Sequence, residues 1–181
     1  MPSLLSHATV AVAAGAAFAS RDVPGQFWIL AVLCSILPDA DVLGVSFGIP
    51  YPHVFGHRGF FHSPFFSLLL SILVVSIFFR NTDVFSSRWF FYFIFFFLLA
   101  ASHGMLDAFT NGGLGIALLS PFDPTRYFFP WTPIEVSPIG VKAFFSKWGL
   151  AVMRSELQWI WLPSFMMVVL SALIRRFVLR Q

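Results

Sequence analysis

Three short stretches of the chain combine imidazole and carboxylate side chains. In His103-Gly104-Met105-Leu106-Asp107 the two end residues stand four apart near the close of an apolar run. On a helix that spacing places both on one face, about 5–6 Å apart at Cβ. The pair can hold one ion jointly, or make a plain His–Asp hydrogen bond at a helix end. Pro38-Asp39-Ala40-Asp41 follows a second apolar run, where Pro38 disturbs the helix and two acids come at once. Carboxylates at membrane depth are costly and usually functional, whereas at a helix end reaching water both are simply solvated. The third stretch is His57-Arg58-Gly59-Phe60-Phe61-His62-Ser63-Pro64. Ser63 reads as an N-cap with Pro64 at the first helical position, which leaves His62 just outside the helix and pointing back into the loop. Arg58 offers a planar fork suited to a phosphate oxyanion, or an anchor to lipid headgroups. His53 has no supporting motif.

The elements that must position these residues follow from composition. Of 181 residues, 58% are hydrophobic and 10% charged, and the mean hydropathy is +0.83. Soluble domains carry about 25% charged residues, so this chain cannot cover a water-facing surface. The 25 Phe residues suit a lipid-facing exterior. The net charge of +3 comes from scattered Arg and Lys, which excludes nucleic-acid binding. The single cysteine, Cys34, lies in an apolar stretch and forms no internal disulfide. Five apolar runs stand out, over Leu4–Ala19, Phe27–Leu37, Phe65–Phe79, Trp89–Leu106 and Trp159–Leu179. A crossing takes about 20 helical residues, with a range of about 17–25. The fourth and fifth meet that length. The second is short unless it extends through Gln26 or past Pro38. The fold class is therefore all-α: a single domain over residues 1–181, built as an integral membrane bundle of four to five transmembrane helices. Ala17-Phe18-Ala19-Ser20 imitates a signal-peptide cleavage site, but Met1 to His7 holds no Lys or Arg, so the first run is expected to be retained. The connection Asp107–Gln158 is long, Pro- and Trp-rich and aromatic (Tyr127-Phe128-Phe129-Pro130-Trp131). It is expected on the membrane surface or folded over the helix ends as a lid.

Counting crossings brings the polar residues together. If the first four runs each span once, then His7, Asp39, Asp41, His62, His103 and Asp107 all fall at one membrane face. Scattered structural histidines have no reason to obey that parity. Imidazole and carboxylate without a thiolate cluster suit an open catalytic zinc site, with manganese as the second choice. Bound zinc lowers the pKa of water to about 7. The opposite face carries Arg21, Arg80, Arg88, Arg175, Arg176 and Arg180, while the longer connection holds Arg126, Lys142, Lys147 and Arg154. By the positive-inside rule the cluster faces away from the cytoplasm and the C-terminus lies inside.

The string Ser6-His7 opening an Ala-rich helix, Leu37-Pro38-Asp39-Ala40-Asp41, Gly56-His57-Arg58-Gly59 with His62-Ser63, and Ser102-His103 with Asp107, Thr110 and Gly112-Gly113 resembles the YdjM-like family of bacterial inner-membrane metal-dependent hydrolases. The likeness is strongest to its YbcI-type members and covers nearly the whole chain. One departure is Phe61, where the family commonly has Thr. The family in turn is distantly similar to zinc-dependent phospholipase C and the S1/P1 nucleases. Their pattern maps onto His7, Asp41 (or Asp39), His62, His103 and Asp107 as metal ligands. No His follows His103, which points to one or two metals rather than three.

These readings converge on a metal-dependent hydrolase of a phosphoester, with a phospholipid headgroup as the attractive substrate. His7, Asp41, His62, His103 and Asp107 would hold the zinc, and Asp39 would be a ligand or the base orienting water. Arg58, with Arg126, would neutralise the phosphate, and His57 would support the ligands or protonate the leaving group. The expected partners are the bilayer and a lipid substrate. Two rivals come from other classes. A metal transporter or channel usually places its site near the bilayer midplane and carries internal repeats, neither of which is visible. A non-catalytic scaffold would use the metal for structure only.

Overall fold

The computed structural model describes residues 1–138 and 141–178; Leu179 and Arg180, assigned above to the last run and its basic tail, lie outside them. Among the described residues every regular element is helical: α1 (Leu4–Phe18), α2 (Gly25–Ile36), α3 (Leu43–Ser46), α4 (Pro64–Phe78), α5 (Ser87–Ala108), α6 (Val141–Phe144), α7 (Lys147–Glu156) and α8 (Leu162–Val178). A 3-10 turn over Leu37–Val42 joins α2 to α3, another over Phe60–His62 precedes α4, and a π turn over Leu157–Trp161 joins α7 to α8.

Three continuous runs are long and apolar enough to cross a membrane: Gly25–Ser46, Ser87–Ala108 and Lys147–Phe177. Leu4–Phe18 and Pro64–Phe78 are shorter apolar helices. The second run takes the extension past Pro38. A proline in the first turn of the 3-10 segment forfeits no needed N–H, so the chain tightens there and keeps its direction. The last run begins at Lys147, well before Trp159, so part of the expected connection is helical. Ser146 caps it by accepting from the Gly149 amide, and the polar residues Lys147, Arg154, Glu156 and Gln158 hide that helix from a hydropathy reading.

Helix α5 packs on α4 and α2, and α1 packs on α2 and α8. The core joins Phe27, Leu30, Ala31 and Cys34 of α2 to Leu70, Val74 and Val75 of α4 and to Phe95, Phe96, Leu99 and Ala100 of α5. The small residues of α1 permit close helix approach: Ala11 is fully buried, and a Cβ on Gly15 would lie 2.5 Å from the Trp28 ring. The outer faces are apolar as well. Leu69, Leu73 and Ile77 of α4, Ile94 and Leu98 of α5 and Phe165, Met166 and Leu170 of α8 are all exposed. So much exposed apolar side chain suits hydrocarbon and not water.

The helix ends are tied pairwise. At one end Gln26 donates to the Phe78 carbonyl (2.7 Å), Arg88 pairs with Asp22, and Arg175 bonds the Ala17 carbonyl. At the other lie the start of α1, the 3-10 turn after α2, the start of α4 and the last turns of α5. The His and Asp residues occupy that second end.

Candidate metal centre

Each cluster residue is delivered by a helix end. His7 lies one turn into α1, and His103 and Asp107 share a face of the final turns of α5. Asp39 and Asp41 come from the 3-10 turn after α2. His62 closes the turn before α4, where Ser63 accepts from the Phe66 amide at 3.1 Å and Pro64 begins the helix. All six side chains are at least nine-tenths buried.

Two groups with ligand-like geometry result. Asp39, His62, His103 and Asp107 each present one donor atom, all within 4.8 Å of one another, and Asp41, His57 and His62 form a second such group. His62 is common to both. In the first group His103 Nε2 lies 3.3 Å from Asp39 Oδ1 and 3.2 Å from His62 Nε2, while His62 Nε2 lies 3.5 Å from Asp107 Oδ2. Two ligands at about 2.0–2.1 Å from a tetrahedral ion stand about 3.3 Å apart, so these separations suit one ion. His7 joins from the side, with its ring stacked on His103 at 3.8 Å and its Nε2 3.5 Å from Asp107 Oδ1. The His103 Nδ1 lies 2.7 Å from the Ser35 carbonyl. A carbonyl can only accept, so Nδ1 carries the proton and the Nε2 lone pair faces the cluster.

Hydrogen-bond satisfaction supports a cation. Buried polar groups normally find partners, yet His7 Nε2, both oxygens of Asp39 and both of Asp107 have no hydrogen-bond partner among the described residues. These orphans converge on the first group. The two carboxylates there, with Asp41 of the second group, outnumber the one guanidinium of Arg58, and a divalent ion would neutralise the surplus of negative charge. Burial opposes a charged His62 ring, but its contacts with Asp107, Asp39 and Asp41 outweigh that penalty and hold its pKa well above the usual imidazole value. The position thus favours positive charge, which a proton or a metal ion can supply.

Asp41 is engaged differently from Asp39. Its Oδ1 lies 2.7 Å from His57 Nδ1, and its Oδ2 accepts from the Arg58 amide at 3.2 Å and approaches His62 Nδ1 at 3.1 Å. Arg58 is almost wholly buried and donates to the Gly112 carbonyl (2.6 Å) and to Thr110 Oγ1 (2.9 Å), with Nε 3.4 Å from Asp107 Oδ2. Its φ of 65° is strained for a residue with a side chain. Gly113, at φ 90°, sits so close that a Cβ would meet Arg58 Nη1 at 2.7 Å. Arg126 donates to the carbonyls of His57 and Tyr51, each at 3.0 Å, and lies over the Tyr51 ring. It therefore ties the 51–57 loop to the 115–127 segment. That segment also covers Arg58, whose carbonyl accepts from the Ala117 amide at 3.1 Å.

The model of the family described as YdjM inner membrane protein matches residues 1–179. The chain belongs to the YdjM inner membrane protein family. It is 35% identical over 173 residues to a protein named inner membrane protein YbcI from Escherichia coli (strain K12), covering 93% of this chain and 95% of that one. No solved structure matches it.

One feature of this YdjM family member escaped the sequence reading. Glu156 is fully buried and accepts from the Ser3 amide, from Ser3 Oγ at 2.6 Å and from Ser6 Oγ at 2.8 Å, while Trp161 Nε1 donates to Ser6 Oγ at 2.8 Å. This clamp fastens the α7–α8 junction to the turn of α1 that carries His7. The available signal was a lone acid before a long apolar run. Glu156→Ala strands two buried serines and should cost about 3 kcal/mol, the scale of losing hydrogen bonds to a buried charge. Thermal unfolding in detergent is expected to show a lower Tm for that variant than for wild type.

Proposed function

We propose that this inner-membrane protein is a divalent-metal-dependent hydrolase of phosphoesters, with zinc as the ion. The observation that supports it most is the convergence of unpartnered, buried His and Asp atoms at one end of the bundle. A structural zinc site would more often use thiolates. His7, Asp39, His62, His103 and Asp107 would hold the ion. When bound, it would supply a Lewis acid and a water of lowered pKa.

The remaining residues then have defined roles. Asp41 holds His57 by its Nδ1, which leaves His57 Nε2 able to pass a proton to a leaving group. Arg58 pins Asp107 and contributes fixed positive charge beside it. Arg126 positions the loop that carries His57. In the membrane arrangement proposed with this activity, all five apolar helices cross or enter the bilayer. The positive-inside rule then sets the cluster on the periplasmic side and the C-terminus in the cytoplasm.

The test is elemental analysis of detergent-purified protein together with turnover of phosphoester substrates. Wild type is expected to hold about one zinc ion per chain, at the group of Asp39, His62, His103 and Asp107. His103→Ala and Asp39→Ala should lose the metal. Asp41→Asn should keep it while activity falls about 10–100-fold, the usual effect of losing a residue that orients ligands. Failure of wild type to take up any metal, even with zinc offered, would refute the proposal.

A further inference from the structure

A groove of about 740 Å³ runs between the Leu37–Ser46 segment and α4. Its walls include Leu43, Phe47, Phe61, Leu69 and Leu73, and among the described residues Asp41 is the one charged group along it. Leu43, Phe47, Leu69 and Leu73 are also exposed on the outside of the bundle. The groove is therefore continuous with the lipid-facing surface at one end and meets the His/Asp cluster at the other. A second apolar groove of about 710 Å³, lined by Val10, Ala14, Leu98 and Met167 among others, touches no residue of the cluster. Both volumes are within the range of about 300–1,000 Å³ usual for ligand sites.

We propose that the first groove seats the acyl chain of a membrane phospholipid whose phosphoester end reaches the Asp41–His57 side of the cluster. This rests on the hydrolase reading for the chemistry, but the binding claim can be tested alone. The cluster is buried almost completely, and the groove brings its contents against Asp41. A water-soluble substrate would gain nothing from such walls. An amphiphile entering sideways from the bilayer matches them along their length, with hydrocarbon against Leu and Phe and a polar end at the acid. Hydrocarbon already surrounds these helices, so the chain would enter without crossing water. Phe61, next to His62 in the chain, also lines the groove.

The experiment is photolabelling in mixed micelles with a diacyl phosphatidylethanolamine carrying a diazirine on one acyl chain, mapped by peptide mass spectrometry. Leu69→Trp and Leu73→Trp each fill the groove from its exposed side, away from the cluster, and Leu98→Trp fills the other groove. In wild type, labelling of the 43–47 and 65–73 peptides is expected to saturate and to be competed by excess unlabelled lipid. It should drop about tenfold in either α4 variant and stay unchanged in Leu98→Trp. Circular dichroism will show whether each variant retains its helices, and the two α4 variants stand in for one another. Labelling that never saturates, that is equal in both grooves, or that survives both α4 substitutions would overturn the proposal. The labelling needs no turnover, so it can succeed where the hydrolase reading fails. Where turnover is found, the α4 variants should raise KM for the long-chain lipid about tenfold. They should leave kcat/KM for a short-chain, water-soluble phosphoester unchanged.

Discussion

Replacing Asp107 with Ala is expected to abolish phosphoester turnover and metal binding together, while the protein still inserts and keeps its helices. Asp107 joins three residues of the centre: His7 through Oδ1, and Arg58 and His62 through Oδ2. Its removal takes away one ligand and also leaves the Arg58 guanidinium without its carboxylate. A loss of at least about a thousandfold in rate is expected, or ~4 kcal/mol at the usual 1.36 kcal/mol per tenfold. Breaking a buried ion pair from one side costs about 3–5 kcal/mol of stability, so Asp107→Asn is the paired variant. It preserves shape and removes only the charge. Both should lose zinc by elemental analysis, with membrane extraction behaviour like that of wild type. Normal turnover by either would remove the core of the proposed mechanism.

The second large effect is expected from a residue with no side chain. Gly104 lies between His103 and the last turn of α5, and a Cβ there would come within 2.3 Å of the His62 carbonyl oxygen. That partner is backbone, so it cannot swing aside as a flexible side-chain tip would. Carbon–oxygen contacts need about 1 Å more than this, so Gly104→Val must push the 60–62 turn away from α5. His62 belongs to both ligand groups, and a shift of that size separates it from His103 Nε2. Zinc affinity and activity should fall at least about 100-fold, since misplacement of about 1 Å is costly to chemistry. Overpacking is expected to cost only about 1–3 kcal/mol of stability. Gly15→Ala makes a useful comparison. It meets the Trp28 ring at the opposite end of the bundle, and should lower the Tm without changing metal content.

The sequence by itself determined the class of molecule and the end of it that matters. Runs of apolar residues at helical length leave no other structure for a chain with so few charges, and helices that alternate in direction bring His7, Asp39, Asp41, His62, His103 and Asp107 to one end of the bundle. Ser63-Pro64 announced the start of α4 because capping and φ restriction are local physics. The Arg residues at the far end were likewise countable from the loops. Only the tertiary structure decided which donors lie close enough to share an ion. Asp39 and Asp41 are two apart on a turn of about three residues, so they project in different directions, and nothing local says which one faces His103. Arg58 carries a charge that suits phosphate, but its bonds to Gly112 and Thr110 depend on a loop more than fifty residues away, and its pairing with Asp107 on the end of α5. The same holds for Glu156, whose partners Ser3 and Ser6 lie at the other end of the chain. Helices are set by periodicity and caps within a few residues, whereas a centre of this kind is set by where helix ends meet.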